Sequence, residues 1–126
     1  MTGKGEQHKN AILDHVLGGP NYERPSHVFL ALYNEKGEVK GGGYKRAAIP
    51  NIRNNFPPAK GGSKTVAGAV NFPVATNDWG KITHAALHSH PTEDQPLYHA
   101  SITPPRTVPE GAVADFPSGT ITASES

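Results

Sequence analysis

Glycine and proline recur so often along this chain that long regular elements have little room between them. The 126 residues include 14 Gly and 12 Pro, more than the usual share, and they follow no collagen period. Gly18-Gly19-Pro20, Pro104-Pro105, Pro109-Glu110-Gly111 and Pro117-Ser118-Gly119 read as turns. Proline removes a backbone donor there, and glycine reaches dihedrals that other residues avoid. What remains between the turns is of strand length, which predicts many short strands rather than long helices.

The clearest such strand is His27 to Tyr33, HVFLALY, apolar on both faces as a central strand would be. The stretch Val70 to Leu87 reads as strand, loop, strand: Pro73 ends the first strand, Asn77, Asp78 and Gly80 make the turn, and Ile82 to Leu87 resume. Its Trp79 is the only tryptophan, and an indole beside a turn is most simply a core plug. Tyr44 to Ile49, Thr65 to Phe72, Leu97 to Thr103, Thr107 to Phe116 and Thr120 to Ala123 are further extended segments. About seven short strands with regular turn signals predict an all-β fold, an antiparallel β-sandwich. The polar, proline-containing segment Pro50 to Ser63 is a long surface loop, the kind of place where binding happens.

One helix interrupts this pattern. Ile12, Leu13, Val16 and Leu17 recur at helical spacing within Gln7 to Leu17, and Gly18-Gly19-Pro20 stops the run. So short a helix is marginal unless packed; it reads as a lid over the end of the sheet or as an anchor for a partner. The polar, glycine-rich residues 1–6 form a flexible arm, and residues 7–126 a single β-sandwich domain with the N-terminal helix.

Composition narrows the partners. The net charge is +1, and Lys and Arg are scattered, whereas a nucleic-acid binder would show a basic stripe. Without cysteine there is neither a disulfide framework nor a thiol nucleophile. No apolar run is long enough for a bilayer span, and the start lacks a signal-peptide core, so synthesis in a cytoplasm is the expectation. Gly41-Gly42-Gly43 looks like a phosphate-binding loop only superficially, because neither a helix start nor a lysine-plus-hydroxyl pair follows. Tyr22 and Tyr44 are aromatics that could stack on a sugar, although packing is the commoner fate of such residues.

From Ile12 to Ser124 the order of segments resembles a family of small tailed-bacteriophage virion structural proteins, described as tail fibre or minor tail proteins. The likeness is carried by the helix ending in Leu17-Gly18-Gly19, by Gly42-Gly43-Tyr44-Lys45-Arg46, by Asn71-Phe72-Pro73 with Trp79-Gly80-Lys81-Ile82-Thr83-His84, and by Leu97-Tyr98. The resemblance implies a structural subunit of a virus particle, made in the host cytoplasm, rather than an enzyme. It brings no catalytic, cofactor-binding or metal-ligating residue with it. The implied partners are other virion proteins of tail, connector or capsid, together with copies of this chain in a trimer or ring. A tail placement (fibre, collar or tip) competes with capsid decoration, a cement or head-fibre role in which the N-terminal arm reaches a neighbour.

His88-Ser89-His90-Pro91 departs from that family's pattern and matches a stretch of JAMM-type zinc peptidases. Two imidazoles one residue apart on a strand share a face and so could share a metal. Hydrolysis needs a third ligand and a general base as well. The Ser-x-x-Asp that completes such sites is absent, since Ser101 is followed three positions later by Pro104; Asp94 and Asp115 lack the spacing, and Glu35 and Glu38 sit in a polar turn. The stretch therefore reads as a solvated hairpin tip, with adventitious metal binding by His88, His90 and His84 or His99 as the sharper alternative. These four histidines lie on two neighbouring segments, so protonation near pH 6.5 would charge one edge and make an interface pH-sensitive.

Overall fold

The computed structural model describes residues 3–67, 70–92, 96–116 and 121–124. Among them a short helix and ten strands run in the order β1 (Gly3–Lys4), α1 (Glu6–Val16), β2 (His27–Asn34), β3 (Gly37–Glu38), β4 (Ala47–Pro50), β5 (Ser63–Thr65), β6 (Val70–Val74), β7 (Gly80–His88), β8 (Tyr98–Val108), β9 (Val113–Phe116) and β10 (Ile121–Ser124). All the pairings are antiparallel. The large sheet has the order β3-β2-β7-β8-β10-β5, with β4 beside β2 and β1 beside β8, and β6 and β9 form a separate two-stranded ribbon. Together they make the expected all-β sandwich.

The register fixes two faces on the large sheet. Val28, Leu30 and Leu32 of β2 alternate into the core, where Leu30 stands opposite Leu87 and Leu32 opposite Ala85. On β7 the core residues are Ile82, Ala85 and Leu87, which break strict alternation. A β-bulge between Ile82 and His84 absorbs the change of phase. Ile82 pairs with Arg106 and His84 with Ser101, so Ile102 to Pro105 lie opposite Thr83 alone. Pro104-Pro105, expected to separate two strands, thus sit inside β8 where its register toward β7 is interrupted, so on that side they displace no paired residue.

The ribbon brings Phe72 and Phe116 onto this core, their rings edge-on with centroids 5.9 Å apart, and the Arg106 guanidinium lies 5.6 Å from the centre of the Phe116 ring. The segment expected as a single strand from Thr65 to Phe72 is divided: Ser63–Thr65 pair with β10, while Val70–Val74 pair with β9. Trp79 is 2% exposed and plugs the core, donating its indole N–H to the Gly42 carbonyl at 2.9 Å. Gly42 has φ 62°, and a Cβ there would come within 3.0 Å of Trp79 Nε1. The glycine triplet therefore serves close packing against an indole rather than a phosphate.

Helix α1 begins one residue earlier than expected, at Glu6, and Gly3–Lys4 of the expected arm pair with Tyr98 and His99 of β8. Gly5 follows directly, its N–H bonded to the Leu97 carbonyl at 2.8 Å and its backbone too close to Pro96 to admit a side chain. The helix is thereby tied to the sheet by backbone rather than by a side-chain cap, which it lacks.

Candidate functional site

On the face of the large sheet away from the core, Tyr33 pairs with His84, His84 with Ser101, Ala31 with Ala86 and Ala86 with His99. Small alanines in the middle let the larger polar side chains close over them. The His84 ring stacks on Tyr33 at 5.3 Å, and His88 is fully buried with its Nε2 3.4 Å from the Tyr33 hydroxyl. Burial holds the imidazoles of His84 and His99 below their ordinary pKa, and His99 adds repulsion on His84.

Beside them lies a buried ion pair that sequence reasoning missed. Arg46 places Nε on Glu38 Oε2 and Nη2 on Oε1, both at 2.9 Å, and its Nη1 donates to the His90 carbonyl at 3.0 Å. Tyr44 donates its hydroxyl to Glu38 Oε2 at 2.7 Å and accepts from the Leu32 N–H. Burial alone would raise the Glu38 pKa, but the bonds from Arg46 and Tyr44 outweigh it and hold the carboxyl below its ordinary value. The Tyr44 hydroxyl is pushed well up, first by burial and then by its bond to that carboxylate. Its ring packs near Phe72 and Trp79, so Tyr44 is a core residue and not a sugar platform.

These contacts decide what the histidine stretch can do. Strand β7 ends at His88, so His90 is not held on a strand beside it; His90 is exposed, its Nδ1 accepting from the Thr92 N–H at 3.2 Å. Glu38 has both oxygens engaged and a lowered pKa, which unfits it as a general base, and Glu35 is exposed in the β2–β3 turn. Among the described residues no group of three His, Cys, Asp or Glu could hold a metal ion. Asp94 and the Asp115 side chain lie outside the described residues.

The surfaces are more informative. Of the four apolar residues read on α1, Ile12 is half-buried, but Leu13, Val16 and Leu17 are 57%, 67% and 75% exposed. The buried residue of the helix is His8, whose ring stands edge-on between Tyr22 and Tyr98 at 5.1 and 4.8 Å. Ile52, at 52% exposure, adds an apolar side chain on the loop that follows β4. His8 and Ile12 line a cavity of about 470 Å³ whose far wall is that loop.

The sequence model of one family, the Podophage GP4 fiber I protein gp80, matches residues 5–124. The chain belongs to this family. No curated protein matches it. Membership makes the fibre protein a structural component of a phage particle, and the matched span includes α1, every strand from β2 to β10 and the histidine stretch. A fibre protein works through contact with other virion proteins, which directs attention to the uncovered face of α1 rather than to the polar cluster beneath Arg46.

Proposed function

We propose that this fibre protein is a tail-associated component, in the fibre, collar or tip, that acts without catalysis. It assembles as a trimer or ring and docks through the outer face of α1. The observation that supports this reading is the stripe of Leu13, Val16 and Leu17 held more than half exposed on a helix whose opposite face is anchored. Such a stripe gains stability only by burying area against another surface. A helix of 11 residues is too short to be stable alone, so its persistence depends on the sheet beneath and, after docking, on the partner above. Ile52, 52% exposed on the loop after β4, is a separate exposed apolar side chain.

Two measurements test the reading. Native mass spectrometry of the purified chain should give a closed oligomer, and Leu13→Gln/Val16→Gln/Leu17→Gln should give monomer. Immunogold labelling of virions, with copy number from quantitative mass spectrometry, separates tail from head: gold at the tail with few copies supports the proposal. Gold over the head with hundreds of copies would make the chain a capsid decoration protein instead.

A further inference from the structure

The ribbon covers only part of the core-side sheet face. At the other end Leu87, Tyr98 and Ala123 border the cavity of about 470 Å³, with α1 on one side and the loop after β4 on the other. That volume falls in the range of small-ligand sites, roughly 300–1,000 Å³, and suits one or two sugar rings.

We infer that this groove is a binding site for a saccharide carrying an anionic group. Four rings, His8, Tyr22, Phe56 and Tyr98, come from separate parts of the chain to line it. A ring-rich wall suits a pyranose, which has an apolar C–H face and a polar rim. Arg24 and Lys64 supply the charge, both exposed, and no carboxylate is among the described residues of the lining. The Asn51 amide nitrogen is fixed on the Pro25 carbonyl at 2.9 Å, which leaves its oxygen as an acceptor for a hydroxyl. Burial pushes the Tyr22 hydroxyl up, so it remains a neutral donor.

An extended peptide fits less well. The free edge of β5 is occupied by its own loop, because Lys60 and Ser63 exchange backbone bonds at 2.9 and 3.0 Å and the Ala67 N–H donates to the Asn55 carbonyl at 2.8 Å. Only Thr65 lies between these points on that edge, too little for an added strand. The ligand is therefore read by side chains, which favours a compact ring over a chain seeking a ladder. On α1 the groove is lined by His8 and Ile12, a different side of the helix from Leu13 and Leu17.

The test is saturation-transfer-difference NMR and calorimetry on the full chain. The probes are trigalacturonate, neutral maltotriose, inorganic phosphate and a glutamate tripeptide. Trigalacturonate should show transfer to its ring protons and bind at least tenfold more tightly than maltotriose. Arg24→Gln/Lys64→Gln, at exposed positions that leave the fold intact, should weaken it at least tenfold, as should Phe56→Ala if that variant keeps its circular dichroism. The absence of transfer, or affinity unchanged in the double variant, overturns the site. Equal binding of maltotriose removes the anionic requirement, and phosphate or the tripeptide binding as tightly with the same Arg24 and Lys64 dependence removes the saccharide.

Discussion

Strand β7 and helix α1 both carry a stripe of apolar side chains, and the molecule treats the two stripes in opposite ways. On β7, Ile82, Ala85 and Leu87 are 0–5% exposed. On α1 and its C-cap, Leu13, Val16 and Leu17 face outward, and a histidine faces the sheet. Strand β7 sits between β2 and β8, and its inner face can only meet the core. The helix is attached at one side of the sheet through Gly5 and His8, which leaves its other side uncommitted. An apolar stripe thus reports that something will cover it, while the neighbours decide whether the cover is the chain itself or another molecule.

The sharpest way to break this comparison is at the buried stripe. Ile82→Ala removes a fully buried side chain and leaves a cavity, so unfolding free energy should fall by about 4 kcal/mol, near the upper part of the range for such truncations. Urea denaturation checks it; a loss below about 1 kcal/mol would mean that β7 is not the centre of the core.

Next in size is the polar counterpart on the opposite face. Glu38→Ala leaves the Arg46 guanidinium, 3% exposed, without its carboxylate, and should destabilise by about 3 kcal/mol. The pH dependence has a definite sign. Because the folded pKa of Glu38 is lowered, its stabilisation is complete above the ordinary value of about 4.5 and is lost as pH falls through the folded value. Acid denaturation of the Glu38→Ala variant should accordingly be shallower below pH 4.5; identical slopes would show that the ion pair does not govern acid stability.

A smaller effect belongs to His84 and His99. Their lowered pKa values mean that the unfolded chain binds more protons than the folded one as pH drops below about 6.5. Stability should therefore decline on that side, and His84→Gln should flatten the decline. Light scattering at pH 7.5 and 5.5 extends the test to assembly, since an unchanged mass would detach these histidines from any interface.

The same contrast explains how much of the molecule could be read beforehand. The sandwich, the central strand His27 to Tyr33 and the buried Trp79 follow from periodicity and residue size, and these are local properties. Thr65 to Phe72 was misread as a single strand because periodicity does not name a pairing partner, and the chain passes between sheets there. Pro104-Pro105 were misread as a break because a proline is tolerated within a bulged stretch of a strand, and that irregularity exists only once β7 is in place. The groove was legible only in pieces: Tyr22 and the loop Pro50 to Ser63 stood out singly, but His8, Tyr22, Phe56, Lys64 and Tyr98 are brought together solely by the fold. Nor does any spacing rule mark His8 as the helix's buried residue, or pair Glu38 with Arg46 across a glycine loop.

The smallest effect on folding should come from the exposed stripe, and that smallness is its diagnostic. Replacing Leu13, Val16 and Leu17 by glutamine removes apolar surface that already faces water, and glutamine is nearly as good a helix former as leucine. At a dilution where both chains are monomeric, the unfolding free energy should change by no more than about 0.5 kcal/mol, far less than for Ile82→Ala. Assembly should respond in the reverse order, with the triple variant monomeric while Ile82→Ala, at a temperature where it is still folded, retains its oligomer. If instead the glutamines unfold the chain, the stripe belongs to the core and α1 is a lid. If they change neither folding nor mass, the uncovered face is inert, and the docking surface must be sought on the loop around Ile52.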